Sequence, residues 1–214
     1  MSTTVVVVGA GGFGREVLDV LRAVNRESAT EAYSILGVLD SDPSPVNLER
    51  LSRMGVDWLG SEADWLASGN DAEYVIGVGR PAVRRRIAET FEAAGKVAAT
   101  VIHPKAVIGS LAIIGPGSVI CAGAQISTNV TLGKHVHVNP SATVGHDSVL
   151  SDFVSINPGA IISGDVAIGT ATLVGAGAVV LQGLAVGSDA LVGASACVVR
   201  DVESGQTVKG VPAR

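Results

Sequence analysis

Every sixth residue from Ile102 to Val198 is Ile, Leu or Val, with no miss and no insertion. Two positions before each of these lies a second slot, from Thr100 to Ala196, that is small or β-branched in all but one case. The residue after the aliphatic is often Gly, as at Gly109, Gly115, Gly133, Gly145, Gly169, Gly175, Gly187 and Gly193. A helix repeats near 3.6 residues and a strand at 2, so neither accounts for a strict six. A solenoid of short strands does: each hexad is one flat side, and three hexads close one triangular coil. The branched aliphatic points inward, the small residue packs beside it at a corner, and Gly supplies backbone angles that other residues avoid. Stacked at about 4.8 Å per coil, these hexads predict an all-β parallel β-helix about 25–30 Å tall over residues 101–214.

Residues 1–100 carry a different pattern. The apolar run Thr4–Val8 predicts a buried parallel strand. Gly9, Gly11, Gly12 and Gly14 follow it, and Arg15–Asn25 carries Val17, Leu18, Leu21 and Val24 at helical spacing. A strand, glycine turn and helix in that order bring backbone N–H groups up to a phosphate. Ser34–Leu39 predicts a second strand ending at Asp40, a candidate for a ribose hydroxyl, before a loop over Ser41–Pro45. Glu62–Ala67 predicts a short helix, and Glu73–Val78 a third strand that ends at Gly79. Pro81 opens a helix to about Ala93 with Val83, Ile87 and Phe91 on one face. The sum is an α/β Rossmann-like half-domain. A dinucleotide usually needs two such halves, so one half argues for a mononucleotide portion and against an NAD-dependent oxidoreductase.

Composition sharpens the division. Among the aromatic residues only Phe153 falls within the repeat, as a narrow aliphatic prism requires. The net charge of −5 and the lack of any basic run argue against nucleic acid as a partner. Gly and polar residues interrupt every apolar run, so no membrane span is expected. No leader pattern precedes the first strand, and Cys121 and Cys197 read as reduced thiols, which together suggest a cytoplasmic protein.

The candidate chemistry centres on histidine, the commonest general base near neutral pH. With eighteen residues per coil, His146 lies outward at a corner with Thr128 below it and Gly164 above. His137 also faces outward and stacks with Ser155, as Asn139 does with Asn157, so these residues crowd two adjacent coils. His103 reads as structural, and His135 as a solvated turn residue. His137 and His146 lack the close spacing needed for the three-histidine zinc site of a γ-type carbonic anhydrase, and no metal is expected.

Several stretches together resemble the sialic acid and bacillosamine acyltransferases, the NeuD/PglD-type enzymes. They are Gly9-Ala10-Gly11-Gly12-Phe13-Gly14-Arg15, Leu39-Asp40, Gly79 with Arg84, Ile102-His103-Pro104, Asn139 through Asp147, and the closing Gly210-Val211-Pro212-Ala213. The resemblance covers essentially the whole chain. It implies a left-handed β-helix, a homotrimer, acetyl-CoA as co-substrate and a nucleotide-sugar acceptor. It implies that His146 is the general base, with Asp147 orienting it (the family often has Glu there) and Asn139 as a further catalytic residue. It implies nucleotide contacts from Gly9, Gly11, Gly12, Gly14, Asp40, Ser41, Gly79 and Arg84. It implies an acetyl-CoA contact at Ser155, where many members have His; Asn157 is expected to join it, and the Gly-rich coil edges at Gly159, Gly164, Gly175 and Gly177 would let the thin pantetheine arm lie close. The expected activity is N-acetylation of a nucleotide-linked 4-amino-4,6-dideoxy sugar. The alternatives are O-acetylation of sialic acid or another sugar hydroxyl, and a nucleotide-sensing scaffold without activity, which Ser155 in place of His keeps open.

Overall fold

A computed structural model describes residues 2–214. Its contacts divide the chain into two units. The first runs through Gly79 and resumes over Val83–Pro104; the second joins Arg80–Ala82 with Lys105–Arg214.

In the first unit β1 (Thr3–Val8) lies between β2 (Tyr33–Leu39) and β3 (Glu73–Ile76), all parallel. Val5, Val6, Val7 and Val8 are fully buried, which is why the central strand is an unbroken apolar run. Single bridges from Trp58 to Val38 and from Ala98 to Tyr74 widen the sheet at both edges. Helix α1 (Gly12–Glu27) starts inside the glycine turn, earlier than the hydrophobic spacing suggests. Helix α2 (Pro45–Arg53) occupies ground beyond the expected loop, with Pro45 in its first turn and Ser44 Oγ accepting from Asn47 N at 3.3 Å. Helices α3 (Glu62–Ala67) and α4 (Pro81–Ala93) fall where the sequence places them. Phe91 anchors this core, its ring 4.5 Å from Tyr74 and 5.7 Å from Trp65 between centroids.

The second unit is a left-handed parallel β-helix of about six turns. Its strands are two residues long and pair one coil apart, so His137 lies opposite Ser155, Thr143 opposite Ile161 and Val149 opposite Ala167. Ile120, Val138, Ile156, Val174 and Val192 fill one side of the prism and are fully buried. Each contributes about 1.5–3 kcal/mol by leaving water. The ladder also outlasts the hexads: after an irregular segment, Thr207–Val208 pairs with Leu191–Val192.

The structure revises the role of glycine in the repeat. The left-handed backbone falls at every sixth residue from Leu111 to Ser195, a slot that holds Asn129, His135, Asp147 and Phe153 as well as glycines. Each non-glycine residue there costs about 1 kcal/mol or more, least for Asn and Asp, and the stacked coil holds it in place. The glycines that follow the inward aliphatics have ordinary backbone angles. A Cβ at Gly145 would lie 2.5 Å from Ser163 C, and one at Gly109 would lie 2.6 Å from Ser127 C. Those glycines are required by the closeness of the next coil, not by torsion.

Candidate functional site

The hexad Thr143–Ser148 builds the most chemically organised corner of the β-helix. Strand Thr143–Val144 ends at Gly145, and His146 and Asp147 make the turn. Asp147 has φ +61°, and Asp147 N donates to Thr128 O at 3.2 Å while His146 O accepts from Asp165 N at 2.8 Å. The turn is thus pinned to the coils on both sides. It presents its two side chains together, with His146 Nδ1 2.7 Å from Asp147 Oδ2. An ionised carboxylate can only accept, so Nδ1 carries the proton, and in the neutral ring Nε2 is left as the acceptor. Both side chains stay open to solvent, 63% and 49% exposed, as groups that must meet a substrate need to be.

Two neighbours define this pair further. Asn129, one coil below, donates from Nδ2 to Asp147 Oδ1 at 2.7 Å. This hydrogen bond, followed by the one from His146, holds the Asp147 carboxyl below its ordinary pKa. One coil above, a Cβ at Gly164 would lie 2.6 Å from His146 Cε1 and Nε2. The imidazole therefore occupies the space that the missing side chain leaves. Asn129 escaped the sequence reading, although the eighteen-residue step that stacks Thr128 under His146 also stacks Asn129 under Asp147.

The other residues expected to crowd this region do not gather at His146. Asn139 Nδ2 donates to Ile156 O at 2.9 Å and reaches Asn157 Oδ1 at 3.4 Å, and strand Thr143–Val144 separates it from His146 along the chain. His137 and Ser155 face each other in register, and both are about 1% exposed. His135 is not a solvated turn residue: it is fully buried and its ring stacks on Phe153 with centroids 5.4 Å apart. Its left-handed position lies over Gly117, where a Cβ would strike the ring. Of the glycines expected along acetyl-CoA, Gly164 seats His146. Gly175 has the backbone of Ala194 where its Cβ would be. Gly159 and Gly177, both left-handed, lie one coil apart on another corner. A Cβ would meet nothing within 4 Å at Gly159, and only Ser195 Oγ at 3.5 Å at Gly177. That pair leaves a smooth edge on which a thin ligand can lie.

In the first unit the glycine motif has two separate purposes. A Cβ at Gly14 would fall 1.8 Å from Gly9 O, and one at Gly9 would fall 2.9 Å from Val78 Cγ2, so these two let helix and strand meet. A Cβ at Gly11 would meet nothing within 4 Å, and one at Gly12 only the tip of Arg15 at 4.0 Å. The start of α1, with Gly11 at its N-cap, is open to a ligand. Asp40 braces this opening, its carboxylate accepting from Ala10 N at 2.8 Å and from Asp42 N at 3.0 Å. Ser41 Oγ bonds Glu62 beside a cleft of about 290 Å³ lined also by Leu66, Arg86 and Phe91. The expected nucleotide contact of Arg84 does not fit the geometry. Arg84 is fully buried and donates to Val78 O at 2.9 Å and Gly79 O at 3.1 Å, clamping the loop after β3. Burial lowers its pKa to about 9, which leaves it protonated at neutral pH. Gly79 enters this clamp through its carbonyl, and a Cβ there would meet nothing within 4 Å.

Among the described residues no cluster of three or more His, Cys, Asp or Glu could hold a metal ion. No described helix is long and apolar enough to cross a membrane.

Comparison with known proteins gives this geometry its relatives. The PglD N-terminal domain family matches residues 4–91. GDP-perosamine N-acetyltransferase of Escherichia coli is 30% identical over 146 residues, which cover 68% of this chain and 63% of that protein. The acetyltransferase domain of PglB from Neisseria gonorrhoeae superposes with a TM-score of 0.87 at 34% identity, covering 100% of this chain and 99% of that one. The same domain has been solved in complex with acetyl coenzyme A. PerB of Caulobacter crescentus, in complex with CoA and GDP-perosamine, is 27% identical with a TM-score of 0.87, over 99% of this chain and 96% of that one. With this full-length match in sequence and fold, the chain belongs to the NeuD/PglD-type family of sugar acetyltransferases.

Proposed function

We propose that this protein transfers the acetyl group of acetyl-CoA to the amino group of a nucleotide-linked 4-amino-4,6-dideoxy sugar, with His146 as general base. The observation that carries the reading is the exposed His146–Asp147 pair, whose hydrogen bond at Nδ1 leaves Nε2 to accept a proton. The relatives support the substrate class, since the E. coli protein acts on GDP-perosamine and PerB holds CoA with GDP-perosamine.

A thioester is already activated, so no covalent enzyme intermediate is needed. The protein has to hold the neutral amine against the carbonyl and take up its proton. As the C–N bond forms, His146 Nε2 accepts the amine proton, and the resulting imidazolium is stabilised by the Asp147 carboxylate. The C–S bond then breaks, and the imidazolium returns the proton to the departing thiolate. The smooth corner at Gly159 and Gly177 suits a pantetheine arm. The open start of α1, from Gly11 and Gly12, suits a diphosphate.

We further infer a homotrimer that works in the cytoplasm. Val107 and Ile161 are 53% and 43% exposed on one flat side of the prism, where burial against a second copy would remove apolar surface from water. Asn139 and His146 lie at successive corners of one chain, so a site that used both would draw them from two copies. The test is thiol release from acetyl-CoA against a panel of GDP-, UDP- and dTDP-4-amino-4,6-dideoxy sugars. Turnover of one of them supports the reading and names the nucleotide. Turnover of free sialic acid alone would establish O-acetylation instead, and no turnover of either would favour a sensing scaffold.

A further inference from the structure

The His146–Asp147 pair depends on a third side chain. We propose that Asn129 is a positioning residue: it holds the Asp147 carboxylate from the coil below and so fixes His146 in the tautomer whose Nε2 takes the amine proton. This inference rests on the reading of His146 as the base.

The geometry is specific. An Asp side chain is short, and in a left-handed turn its carboxylate can rotate about two bonds. One oxygen faces His146 Nδ1 at 2.7 Å, and the other is held by Asn129 Nδ2 at 2.7 Å. With both oxygens engaged, rotation is stopped and the carboxylate stays level with the ring. The hold comes from a different coil, so it is as rigid as the β-ladder that spaces the coils. Asn129 N donates in turn to Ser110 O at 2.9 Å, which anchors the turn that carries the amide. From above, Gly164 limits how far the imidazole can tip. The charged and titratable groups on this corner are His146, Asp147, Asp165 one coil above Asp147 and, two coils beyond that, Arg200 and Asp201. Asn129 brings no charge of its own, so it steers the carboxylate without neutralising it.

A simpler role must be separated from this one. Asn tolerates φ +57°, so Asn129 could serve only the turn. Asn129→Gly distinguishes the two, because Gly favours that backbone and removes the amide. Thiol-release kinetics on Asn129→Gly and His146→Ala are measured beside ¹⁵N NMR of the His146 ring in the substrate-free protein. The proposal expects Asn129→Gly to lose about tenfold in kcat, part of what the base supplies, with KM for acetyl-CoA unchanged. It also expects the ring nitrogen shifts to move from the Nδ1–H form toward the Nε2–H form that imidazole prefers in water. Asn129→Gly with wild-type kcat, with or without a change in the ring shifts, overturns the proposal. So does a lower kcat with an unchanged ring, because the amide then acts elsewhere. If His146→Ala keeps wild-type activity, it is the assignment of the base that fails, and the Asn129 proposal falls with it; the ring shifts then show only whether the amide orders the side chain.

Discussion

At the scale of single residues, two glycines separate the chemistry of this corner from its architecture. Gly164 faces the tip of an exposed imidazole, whereas Gly145 faces the backbone of the next coil. Gly164→Ala should therefore leave the thermal midpoint within a degree or two and lower kcat about tenfold, by pushing the base off its line of approach. Gly145→Ala should do the opposite first, lowering the midpoint by several degrees, because main chain has to move. Calorimetry beside a thiol-release assay reads both. The Asp147 carboxyl gives a third expectation. Its pKa is depressed in the folded protein, first by the amide of Asn129 and then by His146. The sign follows: its contribution to stability is present above the unfolded value, near 3.9, and is lost as pH falls through the lower folded value. A ¹³C titration of the carboxyl should show the depressed value, and in Asn129→Ala the value should rise toward that of a free Asp.

At the scale of elements, the β-helix and the sheet differ in how openly the sequence declares them. The sixfold period is local: each inward aliphatic is buried because of its place within its own hexad, and nothing distant is needed to infer it. Ile156→Ala should accordingly cost about 2–5 kcal/mol in urea unfolding, the range for a cavity in a packed core. What escaped depends on neighbours one coil or one loop away. Asn129 meets Asp147, His135 stacks on Phe153, and the glycines after the aliphatics face the next backbone; none of these contacts lies within a single hexad. Helix α2 escaped for another reason: two turns of mixed residues give too few periods to register, and only Ser44-Pro45 marks its start. The family resemblance implies a nucleotide contact for Arg84, but its burial against the carbonyls of Val78 and Gly79 is not legible in the sequence. Arg84→Ala should leave those carbonyls without their donor and cost about 2 kcal/mol or more of stability, read by urea unfolding.

At the scale of the whole molecule, the chain carries the His146–Asp147 corner on its β-helix and an open helix start on its small parallel sheet. Assembly is the first check. Sedimentation velocity should give three times the 21.5 kDa chain mass, and an Arg in place of Ile161 or Val107 should shift it toward the single chain. The central claim is narrower, namely that His146 takes the proton from the acceptor amine. The measurement that tests it most directly is single-turnover acetyl transfer by His146→Ala beside the wild type, with the nucleotide sugar that the wild type uses. The account predicts a loss of a hundredfold or more in the rate of transfer. A His146→Ala protein that transfers at the wild-type rate would contradict it.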